Sequence, residues 1–98
     1  MDAIEKWREK IDTVDRKLVE LLNERARYAD EIGKIKEKLG MEAYSPQREE
    51  EVLHNVLNAN AGPLNGAALR RLFERIIDES RKLEREAMLE RKKNSSNR

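Results

Sequence analysis

The stretch LVELLNERARYADEIGKIK, residues 18–36, has the spacing of a long amphipathic helix with one misfit. Counted in sevens from Ile4, an apolar seam runs through Ile4, Trp7, Ile11, Val14, Leu18 and Leu21, then Arg25, Tyr28, Ile32, Ile35 and Leu39. Such spacing is the stripe along which helices pack. Arg25, always charged, sits where the pattern demands a leucine. Outward from this stretch, no proline interrupts residues 2–39 and Gly33 is the one weak point, so a single helix is expected from about Asp2 to Leu39. At 1.5 Å per residue, roughly 36 residues extend about 54 Å. No globule of 98 residues is that long, so the helix must protrude or meet a partner.

The segment GMEAYSPQREEE, residues 40–51, breaks the pattern. Gly40 suits the position just past a helix end, and Ser45-Pro46 reads as an N-cap followed by the proline favoured at the first helical position. Glu49, Glu50 and Glu51 then fall in the opening turns, where the helix dipole favours acids. A short helix carrying Val52, Leu53, Val56 and Leu57 is expected to end near Asn58. The turn cluster NANAGPLNG follows. A third helical period then runs through Leu69, Leu72, Phe73, Ile76, Ile77, Leu83, Ala87 and Met88 to about Lys92. The spacing therefore predicts an all-α chain of three helices, long, short and medium, in one domain over residues 1–92, with a polar, disordered tail over 93–98. Association with a second copy is expected.

Composition narrows the function classes. The chain is 42% charged and 38% hydrophobic with a net charge of +1, and its acids and bases are interspersed. A basic nucleic-acid footprint would cluster on one face, and none does. The absence of cysteine excludes disulfides and thiolate metal sites. His54, the single histidine, has no nucleophile beside it, and no EF-hand or HExxH spacing occurs, so neither a metal nor a cofactor is expected. No apolar run approaches a membrane span and the N-terminal residues lack a signal-peptide core, so no membrane partner and a cytoplasmic location are expected.

Polar intrusions into the apolar faces carry the functional reading. A buried guanidinium needs an anionic partner. For Arg25 that partner is either Glu20 or Glu24 on its own helix, where the residue would merely fix register, or a ligand. Lys36 lies eleven residues on, almost eclipsed in rotation and about 16 Å further along the axis, with Ala29 and Ile32 between. On the third helix Ser80 and Glu84 interrupt the apolar stripe at i, i+4, and Arg48 and Glu49 open the short helix. Three helices thus bring polar groups to one region, a cavity suited to a small polyanion. Arg8 lies about 25 Å from Arg25 along the helix and can join that cavity only from an antiparallel second copy; otherwise it is a solvated flank residue.

The segments WREKIDTVDRKLVELLNERARYADEIGKIK (7–36), YSPQREEEVL (44–53) and LFERIIDESRKLE (72–84) resemble, in order and spacing, the all-helical AroQ class of chorismate mutases. The shared pieces are R-x-x-I-D-x-x-D, L-L-x-E-R, G-K-x-K, P-x-R-E and I-I-x-x-S, spread over about residues 4–90. The resemblance implies an intertwined helical-bundle homodimer with two sites that convert chorismate to prephenate without cofactor or metal. It assigns Arg8 of one chain and Arg25 of the other to substrate carboxylates, and Lys36 to a carboxylate and the ether oxygen. Arg48 and Glu49 match an arginine-glutamate pair in which the glutamate accepts from the ring hydroxyl, and Ser80 lies near the ring carboxylate.

Two positions depart from the family pattern. Ser45 stands where some members carry aspartate, and Glu84 where many carry glutamine facing the ether oxygen. Glu84 could donate to that oxygen only when protonated; burial would favour this and Lys36 would oppose it. An isochorismate-pyruvate lyase shares the expected fold and a similar cationic pocket, though Arg48-Glu49 fits the mutase better. A non-catalytic dimeric helical module is the alternative of a different class.

Overall fold

The computed structural model describes residues 2–96, which form three α-helices: α1 (Ala3–Lys38), α2 (Pro46–Ala59) and α3 (Gly66–Ser96). Each boundary has a local cause. The Asp2 side chain caps α1, its Oδ1 accepting from the Glu5 backbone N–H at 2.9 Å. At the other end Gly40 takes φ +68°, and the Met41 and Gly40 N–H groups donate to the Lys36 and Glu37 carbonyls at 2.8 and 3.2 Å. This is a Schellman closure, with glycine where the left-handed backbone excludes a β-carbon. Ser45 caps α2 through its hydroxyl, which accepts from the Arg48 N–H at 3.3 Å, with Pro46 in the first turn. Between α2 and α3, Asn60 donates to the Leu64 carbonyl and accepts from the Gly62 N–H, and the Asn65 side chain accepts from the Ala68 N–H at 2.8 Å. The last helix continues past Lys92 to Ser96, with Lys93 in its final turn, where a cation suits the dipole. Residues 97 and 98 of the expected polar tail lie outside the described residues.

α3 is the spine against which both α1 and α2 pack. Its Phe73, Ile76, Ile77, Ala87 and Met88 are partly covered, whereas Leu72 and Leu83, read from the pattern as part of the same stripe, stay exposed. α2 turns its Val52, Leu53, Val56 and Leu57 inward as the spacing predicts, and Leu53 is the one buried hydrophobic among the described residues. On α1, α3 does not pack along the heptad seam. It lies against a neighbouring strip that includes Ala26, Ala29 and Gly33, small residues that allow close approach. Gly33 is buried, and the Glu84 side chain lies 3.7 Å from where a β-carbon would stand, an ordinary van der Waals contact.

The heptad seam is therefore left open. Ile4, Trp7, Ile11, Val14, Leu18 and Leu21 are 49% to 61% exposed, and the chain extends 61 Å along its longest axis but 15 Å along its shortest. An apolar row of this length is a surface that calls for a partner. No described helix is long and apolar enough to cross a membrane. The Schellman closure yields a direct test: Gly40→Ala is expected to destabilise the fold by about 1–2 kcal/mol, because the left-handed region excludes alanine at about that cost. Urea denaturation of the two proteins measures it, and equal midpoints would refute it.

Candidate active site

One cavity of about 280 Å³ opens where α1, α2, α3 and the 40–45 loop converge. α1 contributes Arg25, Ala29, Ile32 and Lys36, spaced so that two long cationic side chains flank a short apolar floor. The loop and the start of α2 contribute Ser45, Arg48, Glu49 and Val52, and α3 contributes Ile77, Ser80 and Glu84. Seven of the eight site residues expected from the sequence thus line one space: Arg25, Lys36, Ser45, Arg48, Glu49, Ser80 and Glu84. The eighth, Arg8, does not reach it. It lies in the first third of α1, exposed, with its guanidinium on Glu5 at 2.9 Å.

The cations of the cavity fall into two kinds. Arg25 crosses from α1 to α3 and donates from NH1 to Ser80 Oγ at 3.0 Å. Lys36 Nζ donates to the Ala43 carbonyl at 3.1 Å. Among the described residues no carboxylate lies within ion-pair distance of either, and Glu24, a candidate partner for Arg25, instead accepts from the Tyr28 hydroxyl at 2.8 Å. Arg48 is different: its guanidinium is bonded to Glu51, one turn on along α2. Arg25 and Lys36, both half-covered, thus face one concave space with their own hydrogen bonds going to neutral oxygens, a charge arrangement complementary to an anion. Among the described residues no group of three or more His, Asp or Glu could hold a metal ion.

Glu84 faces these cations from α3. Burial pushes its carboxyl pKa above the ordinary value and the nearby Asp30 carboxylate adds to the rise, while Lys36 and Arg25 pull it down; the net shift is upward. The close approach at Gly33 contributes to that burial. Of the two opposing influences, burial and the Lys36 charge, burial is the larger and sets the upward direction.

Tyr28, Tyr44 and Arg81 are among the lining residues to which the sequence reading assigns no part in the site. Tyr28 counts there only as a seam position. Arg81 precedes Glu84 by three residues, so the two share a helix face at i, i+3 spacing; that spacing is the signal that could have found it. Tyr44 comes from an irregular loop, where periodicity carries no information.

The sequence pattern of the chorismate mutase type II family matches residues 7–85. The chain belongs to that family. Over 88 residues it is 36% identical to the bifunctional chorismate mutase/prephenate dehydratase of Pseudomonas aeruginosa, which covers 85% of this chain and 24% of that one. A protein of the same description from Neisseria gonorrhoeae is 40% identical over 78 residues, 80% of this chain and 21% of that one. The chain therefore spans about a quarter of the length of the curated relatives it matches. Among solved structures, a chorismate mutase from Thermus thermophilus superposes with a TM-score of 0.84 at 38% identity, covering 86% of this chain and 96% of that one. The chorismate mutase from Helicobacter pylori, in complex with prephenate, gives 0.81 at 32% identity over 89% and 94%. The three-helix architecture is thus that of the helical chorismate mutases.

The raised Glu84 pKa has a signed consequence for stability. Folding binds this proton more tightly than the unfolded chain does, so the associated stability is complete below the unfolded pKa. It is lost as pH rises through the folded value. Glu84→Gln removes the titration, so the stability of the variant relative to the parent is expected to climb across that range. Urea denaturation at several pH values reads it, and a difference that does not change with pH would contradict the shift.

Proposed function

We propose that the protein catalyses the pericyclic rearrangement of chorismate to prephenate. The observation that carries this reading is the pair of cations, Arg25 and Lys36, that share one cavity without a carboxylate partner. Chorismate is a dianion whose reaction is unimolecular, so it needs no nucleophile, metal or redox cofactor. What it needs is to be held in the compact reactive conformer while charge separates along the breaking C–O bond. Arginine forks suit the first task, matching carboxylates in plane. Arg25 takes one carboxylate, Ser80 lies beside the ring carboxylate, and Arg48 adds a second fork once it leaves Glu51. Glu49 accepts from the ring hydroxyl, and Ser45 sits at the rim.

Lys36 and Glu84 serve the ether oxygen. An ammonium and a protonated carboxyl both donate to the negative charge that develops there; an ionised Glu84 would repel it. The upward pKa shift supports the donor role. Turnover is therefore expected to fall as pH rises through the Glu84 pKa, and Glu84→Gln to flatten that fall. A pH profile of kcat that is the same in both proteins would reject the donor role.

The open seam of α1 supports a homodimer in which a second copy lies antiparallel and lends its Arg8 to this cavity. A closed pair of this kind has two equivalent composite sites. Complementation tests both the activity and the sharing. Arg25→Leu and Arg8→Ala are each expected to lower kcat/KM for chorismate by roughly 10²–10³-fold, the scale of a lost electrostatic contact, with the helical circular dichroism retained. Unfolding and refolding the two variants together forms mixed dimers with one intact site, and should restore about a quarter of the parental activity. No recovery on mixing would reject the shared site. A parent that leaves chorismate unchanged would reject the function.

A further inference from the structure

Arg81 lines the cavity, but its surroundings differ from those of Arg25 and Lys36. From α3 its NH2 nitrogen reaches Glu49 Oε1 on α2 at 3.2 Å and Asp78 Oδ1 on its own helix at 2.8 Å. The guanidinium carbon also stands 4.5 Å from the centroid of the Tyr44 ring, in the loop before α2. One planar group is thus held on its edge by two carboxylates and on its face by an aromatic ring, and its side chain is 33% exposed. A guanidinium so engaged has little to offer a ligand carboxylate. The charge count agrees: one cation against two carboxylates leaves the cluster net negative, so this corner of the cavity suits a hydrogen-bond donor rather than an anion.

We infer that Arg81 is a positioning residue that fixes the Glu49 carboxylate and so confers selectivity for a ligand bearing a ring hydroxyl. The inference rests on the chorismate mutase reading of the cavity, in which Glu49 accepts from that hydroxyl. The Arg81 guanidinium pairs with Oε1 of Glu49, and Oε2 is the oxygen assigned to a donor in the cavity. Asp78 keeps Arg81 from following the ligand, and Tyr44 blocks its rotation out of the plane. A carboxylate held by such a network presents its second oxygen at one place, and an acceptor that a bound ligand shuts off from water but leaves without a donor penalises a ligand that lacks the hydroxyl.

The test compares two ligands by calorimetric titration of the full chain: prephenate, whose ring hydroxyl survives the rearrangement, and a prephenate analogue lacking that hydroxyl. The parent is expected to prefer prephenate by about tenfold or more, the scale of a hydrogen bond to a charged acceptor. Arg81→Leu should reduce that preference to about threefold or less while changing affinity for the deoxy analogue by no more than about twofold. Glu49→Ala should reduce it similarly, and the double variant should lose no more than either single one, because the two residues act as one unit. Arg81→Lys keeps the charge but lacks the fork and the stacking plane, so its preference should fall between parent and Arg81→Leu. It carries the comparison if Arg81→Leu loses its helical circular dichroism. Full retention of the preference in the Arg81 variants, or equal weakening of both ligands, would overturn the inference and leave the functional reading standing. A parent that binds neither ligand would overturn that reading and this inference with it.

Discussion

A helix of 36 residues cannot be covered by the two helices that follow it in this chain, and most of the structure depends on that shortfall. α3 covers a strip of α1 centred on small residues and leaves the heptad seam in water. Leu53 alone among the described hydrophobic residues is buried, so a single copy holds very little of the core that a domain of this length needs. The same geometry that starves the core opens the cavity. Because α3 approaches α1 along Ala26, Ala29 and Gly33, the long side chains of Arg25 and Lys36 reach past its shoulder into the space between the helices.

Within that space the pairing of charges differs between helices. α1 supplies cations with neutral acceptors, whereas the α2–α3 side supplies carboxylates already matched to Arg81. Glu84 lies between the two territories, and burial rather than either neighbour decides its pKa direction. On the proposed reading a dianion with a ring hydroxyl is contacted from all three helices, α1 by cations and α2 and α3 by groups of both signs. Orientation then follows from the fold and does not require any group to move far.

Much of this architecture could be read from the linear chain, because helical periodicity and caps are local properties. Asp2, Gly40 and Ser45 each end or begin a helix where composition says they should, and seven of the eight expected site residues meet in one cavity. The remainder depended on rotation and on loops. The heptad count identifies an apolar seam on α1 but cannot say which flank of it α3 will occupy, and the apolar period of α3 likewise does not distinguish the covered Phe73 and Ile77 from the exposed Leu72 and Leu83. Tyr44 enters the cavity through an irregular turn. The direction of the Glu84 shift needed the actual depth of burial beside Gly33, a distance between helices that no spacing rule supplies.

Lys36 joins two parts of the molecule in a way that its place in the cavity does not by itself suggest. Its main-chain carbonyl accepts from Met41 in the helix closure, and its ammonium donates to the Ala43 carbonyl two residues further on. An ammonium carries three donors, so one can stay with Ala43 while the others face the cavity. The short loop that delivers Tyr44 and Ser45 is therefore registered to the same nitrogen that carries the Lys36 charge into the cavity. A lengthening of this loop by even one residue would shift the rim relative to the charge, which makes loop length here a determinant of fit and not a neutral spacer.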